Sequence, residues 1–189
     1  MKCYYRIFFS TFSAVTLILV FILILSLPDT YLFRAPLWVK LPMHVIQLSG
    51  MLFGMMSLWV MDAGEFFGIR QMRRCRGRRD PDLTPLSLDG LSPLRLAKTG
   101  VYSIVRHPIY LAGIVMISFQ PEVTYNRLVV TFIADLYFIY AAFKEEHNLL
   151  KKRELGYHEY MQRVPMFNLF KGLYRIWYQR NKDPVYPAY

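Results

Sequence analysis

Ile7-Phe-Phe-Ser-Thr-Phe-Ser-Ala-Val-Thr-Leu-Ile-Leu-Val-Phe-Ile-Leu-Ile-Leu-Ser-Leu27 runs for 21 residues without a charge. A helix rising about 1.5 Å per residue covers a hydrocarbon core of roughly 30 Å with such a run, so it reads as a spanning helix. A signal peptide fits less well, because its apolar run is usually ~7 to 15 residues and no small-x-small cleavage site precedes Pro28. Leu41 to Met61 is a second charge-free run of the same length, and it continues into Asp62-Ala-Gly-Glu65-Phe-Phe-Gly68. Ile109 to Phe119 is a third, of 11 residues, followed by a fourth from Leu128 to Phe143. The last two read as a helical hairpin turning at Gln120 to Arg127, with Pro121 and Asn126 supplying the turn chemistry.

Working outward, the whole chain combines 54% hydrophobic and 16% aromatic residues and a mean hydropathy of +0.23 with a net charge of +10 over 189 residues. Disorder needs low hydrophobicity, and a nucleic-acid binder carries its cations on a soluble fold rather than between long apolar runs, so membrane lipids are the expected partner and nucleic acid is not. Cys3 and Cys75 form no CxxC and no Cys/His cluster, so neither a disulfide framework nor a metal site is expected. Of 23 Lys and Arg, nine lie between Arg70 and Arg106 and nine between Lys144 and Lys182. By the positive-inside rule both segments are cytoplasmic, which predicts a multi-pass protein with four spans and both termini inside. The Arg70 to Arg79 cluster suits a stop-transfer anchor or an anionic-lipid site.

The predicted fold is therefore all-α integral membrane: about four transmembrane helices including a C-terminal hairpin, followed by a cytoplasmic amphipathic tail. Residues 1–69 hold two helices, 70–98 a basic cytoplasmic loop, 99–167 the core with the chemistry, and 168–189 an interfacial tail. From Met166 to Tyr178, Phe167, Phe170, Tyr174 and Trp177 interleave with Lys171 and Arg175, the pattern of a helix lying in the interface.

Residues suited to chemistry collect at one membrane face. Gly100-Val-Tyr102-Ser-Ile-Val-Arg106-His107-Pro108-Ile-Tyr110-Leu-Ala-Gly113 sets a cation and an imidazole just before a proline at a helix start, where free amides favour a carboxylate; headgroup anchoring is the other reading. Glu145 and Glu146 end the fourth run, and two carboxylates at a helix C-terminus oppose the macrodipole. Their compensation is either a pairing with Lys144, Lys151 or Lys152, or a cationic ligand. Asp135 is an ionisable group inside an apolar run and shares a helix face with Ala142 and Glu146, which must point into protein or water. Tyr157 and Tyr160 are suited to cover a cation or a purine, or to pack.

Gly100-x-Tyr102-x-x-x-Arg106-His107-Pro108-x-Tyr110-x-x-Gly113, Glu145-Glu146-x-x-Leu149, Gly156-x-x-x-Tyr160 and Val164-Pro165 together resemble the C-terminal core of the integral-membrane methyltransferases that include isoprenylcysteine carboxyl and phospholipid methyltransferases. The stretch from Asp62 to Gln71 and the turn Gln120-Pro-Glu-Val-Thr are similar to the branch of NnrU proteins and methanethiol S-methyltransferases. The resemblance implies S-adenosylmethionine as methyl donor, held at the cytoplasmic face by Arg106, His107, Tyr110, Gly113, Glu145, Glu146, Tyr157 and Tyr160. It implies a small thiol or a lipophilic, isoprenylcysteine-type acceptor, with Arg106, His107 and Glu65 as candidates for the catalytic roles. His147-Asn148 and Asn168-Leu169 depart from the thiol branch, so the acceptor stays open. Two other readings remain: an NADPH-dependent membrane reductase related to sterol reductases, and a non-catalytic NnrU-like membrane protein.

Overall fold

The computed structural model describes residues 5–61, 98–151 and 156–182. Their elements are helix α1 (Tyr5–Ser26), strand β1 (Tyr31–Arg34), helix α2 (Leu37–Met61), a 3-10 turn (Gly100–Ser103), helix α3 (Pro108–Ser118), strand β2 (Glu122–Thr124) and helices α4 (Tyr125–Leu150), α5 (Tyr157–Arg163) and α6 (Leu169–Lys182). The basic loop with its arginine cluster, Glu65 and the two cysteines lie outside the described residues.

Helix α3 is the central element because its small residues admit both neighbours. On α2, Gly50 and Gly54 sit one turn apart; a Cβ on Gly50 would stand 2.9 Å from Val115 Cγ1, and one on Gly54 would stand 3.1 Å from the Ala112 methyl. Ser57, one turn further, is wholly buried and returns its hydroxyl to the Phe53 carbonyl at 2.7 Å. This small-xxx-small seam lets two backbones approach closely. On the other side of α3 the absent side chain of Gly113 makes room for the Phe138 ring of α4, whose atoms would lie 2.8 Å from a Cβ there.

At one end of this packing the structure departs from the all-helical expectation. The hairpin connection is no simple turn: β2 pairs antiparallel with β1, Tyr31 opposite Thr124, Phe33 opposite Val123 and Arg34 opposite Glu122. Pro121 and Asn126 serve this pairing. The Pro121 carbonyl accepts from the Ala35 amide at 2.9 Å, and the Asn126 side chain donates to the Pro28 carbonyl at 3.2 Å. Thr124 ends the strand and caps α4, its hydroxyl accepting from the Arg127 amide at 3.3 Å. A half-buried Lys40–Glu122 pair at 2.7 Å borders the latch, and the lysine holds the Glu122 carboxyl below its ordinary range. No local pattern announces a pairing between strands some 90 residues apart, so the sequence reading placed only loops here.

Four spans are not established. Among the described residues α2 is the one helix long and apolar enough to cross a bilayer. Helix α3 has 11 residues, about half the ~20 that a crossing needs, and the most apolar part of α1 is Thr11–Ile24. The outward faces are nevertheless strongly apolar: Trp59 on α2 is 88% exposed and Phe132 on α4 is 64% exposed. Soluble monomers seldom present such faces to water.

Because α2 and α3 touch through glycine, Gly50→Leu is expected to force Val115 and Met116 aside. The cost should be about 1–3 kcal/mol of unfolding free energy in detergent, whereas Trp59→Leu on the outer face should leave the melting temperature unchanged; denaturation monitored by tryptophan-independent circular dichroism reads both.

Candidate functional site

The site lies at the end of α3 remote from the strand latch. Val105 and Pro108 are among the most completely buried side chains described, and they fix the segment between them. The backbone of that segment is held from outside: the Arg106 amide donates to the Pro165 carbonyl at 3.0 Å, and the His107 amide donates to the Met166 carbonyl at 3.4 Å. His107 is the N-cap residue of α3 with Pro108 at the first helical position, which leaves the amides of Ile109 and Tyr110 without intrahelical partners.

Arg106 then organises three elements at once. Its Nε donates to Glu146 Oε1 at 2.8 Å, and its Nη1 donates to the carbonyls of Met161 at 2.6 Å and Val164 at 2.7 Å. Those carbonyls belong to the C-terminal end of α5, where backbone acceptors are unpaired and the macrodipole is negative, so a guanidinium satisfies both needs. Glu146 takes a second hydrogen bond from the His107 imidazole, Nε2 to Oε1 at 3.2 Å. Burial works to raise the Glu146 carboxyl, but the His107 hydrogen bond and the Arg106 charge outweigh it, and the group is held below its ordinary value. Among the described residues the compensation for this carboxylate comes from Arg106 and His107 rather than from Lys144 or Lys151, and Lys152 lies outside the described residues. The lysines are neighbours in sequence; Arg106 and His107 arrive by folding.

Glu145 stands differently. Its side chain is 37% exposed and lies 3.7 Å from His107 Nδ1, facing the Tyr110 hydroxyl. The His107 ring sits between aromatic neighbours, 5.6 Å from Tyr110 and 6.0 Å from Phe167 between centroids. Tyr157 and Tyr160 close the other side, 5.8 Å apart, packed with Leu149 and Val164. The Tyr160 hydroxyl donates to the Tyr102 carbonyl at 2.6 Å. The Tyr157 hydroxyl is buried beside Glu146 without a partner at hydrogen-bonding geometry. Burial and the nearby carboxylate charge push the Tyr157 phenol well above its ordinary value, so it stays neutral and keeps a proton to donate.

Folding thus gathers Arg106, His107, Tyr110, Glu145, Glu146, Tyr157 and Tyr160, while Gly113 falls in the seam against Phe138 and Glu65 lies outside the described residues. Asp135 does face inward with Ala142 and Glu146, but it is about three turns along α4 from the cluster. There Ser118 donates to its Oδ2 at 2.7 Å, and its Oδ1 is buried without a partner. The residues the sequence reading missed are Met161, Val164 and Phe167. Val164-Pro165 was the available signal, since a chain turning at that proline must present carbonyls to something.

Comparison with known proteins adds one likeness. Over 123 residues the chain is 24% identical to the methanethiol S-methyltransferase of Crocosphaera subtropica, a match covering 65% of this chain and 44% of that protein. The chain therefore spans less than half the length of the curated relative it matches. No family model matches, and neither does any solved structure. The distant, partial likeness points to a methyltransferase-like family.

Removing one partner from a buried ion pair leaves the other charge uncompensated, so Glu146→Gln is expected to cost about 3–5 kcal/mol of stability. Arg106→Lys, which keeps the charge but loses the planar fork, should cost less, about 1–3 kcal/mol. The pH dependence has a definite sign: a carboxyl held low in the fold contributes fully above its unfolded value of about 4.3 and loses that contribution as pH falls through the folded value. Melting temperatures from pH 7 to pH 3 should decline steeply in the acid limb for the parent and more gently for Glu146→Gln.

Proposed function

We propose that the protein is an integral-membrane methyltransferase using S-adenosylmethionine, acting on a small thiol or a lipid-linked, isoprenylcysteine-type acceptor. The observation that carries the reading is the half-exposed Glu145 beside a buried, already neutralised Glu146–His107–Arg106 network. A carboxylate with capacity to spare, next to a second one already fixed by Arg106 and His107, suits the ammonium or sulfonium part of the donor. The likeness to a methanethiol S-methyltransferase supports the same chemistry.

The residues fit the donor. The unpartnered Tyr157 hydroxyl and the free amides at the start of α3 are donors for a carboxylate or a ribose, and Tyr110, Tyr157 and Tyr160 offer aromatic faces. When bound, S-adenosylmethionine supplies a methyl group on a positively charged sulfur. Glu145 holds the cationic part; Glu146 acts with it through the shared imidazole. His107 keeps both carboxylates at their spacing, its ring fixed by Tyr110 and Phe167. Arg106 is a positioning residue in this scheme: it fixes Glu146 and draws the end of α5 over the site, with Nη2 left for the donor's carboxylate. Methyl transfer to an anionic sulfur or carboxylate removes two charges, so the closed aromatic wall assists by excluding water.

The membrane arrangement is part of the proposal. Four hydrophobic segments, with α3 covered by α2 and α4, put the strand latch on the outer side and the Arg106–Glu146 cluster at the cytoplasmic face, with both termini inside. Reporter fusions at Glu122 and at the C-terminus are expected to report opposite sides of the membrane; the same side for both sinks this topology.

Glu145→Gln separates ligand binding from folding. Calorimetric titration of detergent-purified protein with S-adenosylhomocysteine, with NADPH as the control ligand, is expected to show weakening by about 1–3 kcal/mol at an unchanged melting temperature. Parent protein that binds NADPH and not S-adenosylhomocysteine overturns the methyltransferase reading.

A further inference from the structure

A second cavity lies on the far side of α5, between the 3-10 turn and α6. It is a half-open cavity of about 200 Å³, and among the described residues its wall carries Lys98, Arg163 and Arg175 against the carboxylate of Glu159, with Ser103 and Tyr160 beside them. Neither Arg106, His107 nor Glu146 lines it, and the hydroxyl of Tyr160 is committed to the Tyr102 carbonyl. Arg175 is built in rather than loosely exposed. Its Nη2 donates to the Ser103 carbonyl at 2.6 Å and its Nη1 to the Arg163 carbonyl at 2.8 Å, while its Nε is buried with no partner. Burial and the adjacent Arg163 charge both work against the Arg175 cation, a strain that an anion relieves.

The helix that supplies Arg175 shows where such an anion comes from. Gly172 is buried against the 3-10 segment, where a Cβ would overlap the Ile104 carbonyl, so this face of α6 is pressed onto the protein. At 100° per residue Phe170, Leu173, Tyr174 and Trp177 fall on the opposite face, and Phe170 is 84% exposed and Trp177 59% exposed. A helix with an aromatic outer face and cations behind it lies at headgroup depth. In the membrane arrangement proposed above, on which this inference rests, the cavity under it opens at the level of lipid phosphates.

We infer that the cavity between the 3-10 turn, α5 and α6 binds the phosphate of a membrane phospholipid, gripped by Arg163 over the fixed Arg175, in a lining that includes neither Glu145 nor Glu146. Two or more cations converging on one phosphate form charge-assisted hydrogen bonds, and basic pockets at this depth suit anionic headgroups. Arg163 is the residue to test, because its side chain, unlike that of Arg175, holds no backbone carbonyl.

Full-length protein in nonionic detergent is titrated with dioctanoyl phosphatidylglycerol, with dioctanoylglycerol and with inorganic phosphate, after subtraction of each ligand's titration into empty micelles. The phosphatidylglycerol is expected to bind at least tenfold more tightly than either other ligand. Arg163→Gln should weaken it at least fivefold at an unchanged melting temperature, and Glu159→Gln, which removes the opposing carboxylate, should strengthen it at least twofold. Phosphate that binds as tightly as the phospholipid overturns the lipid source; dioctanoylglycerol that does so, or phosphatidylglycerol affinity unmoved in both variants, overturns the pocket. The readout involves neither S-adenosylhomocysteine nor methyl transfer, so it stands or falls separately from the methyltransferase reading.

Discussion

Arg106 and Glu146 come from segments 40 residues apart and meet at 2.8 Å with side chains only 10% and 11% exposed. Taking two such charges out of water costs several kcal/mol each, so the pair endures only where the remaining donors and acceptors are satisfied. Here two α5 carbonyls accept from Arg106 Nη1, and the His107 imidazole adds a second donor to Glu146 Oε1. The start of α3, the end of α4 and the end of α5 can therefore occupy only one arrangement relative to each other, and the aromatic walls at Tyr110, Tyr157 and Phe167 follow from it.

The rest of the fold brings this pair together from a distance. At the opposite end of α3, the β1–β2 pairing joins the α1–α2 connection to the α3–α4 connection. Between the two ends the contacts are made by absence: Gly50, Gly54 and Gly113 let the helices approach until Val115, Ala112 and the Phe138 ring fill the gaps. Where lipid is the surrounding medium, apolar burial gives little drive for helix association, and close packing of small residues replaces it. The polar ends and the small-residue middle are thus complementary means of holding the same helix.

The adjacent glutamates divide their work for a geometrical reason. Successive residues on a helix point 100° apart, so Glu146 faces inward to the buried cations while Glu145 reaches the half-exposed margin beside His107 and Tyr110. One is locked in the buried ion pair and the other stands at the margin. A single imidazole touching both makes the position of one dependent on the other.

Apolar run lengths, proline and glycine positions and the inward face of α4 determined the helices, the start of α3 at Pro108 and the meeting of Asp135, Ala142 and Glu146 on one side, because these are properties of neighbouring residues and of the helical period. The aromatic face of α6 was readable for the same reason. Tertiary structure decided what local pattern does not encode. It made a strand latch of two loops, since backbone pairing depends on which segments are brought side by side. It set Gly113 against the Phe138 ring in a helix seam, since a glycine's use depends on what fills the space it leaves. And it assigned Arg106 Nε to Glu146 and Nη1 to two carbonyls of α5, since the approach of Glu146 across the fold is something no local pattern encodes.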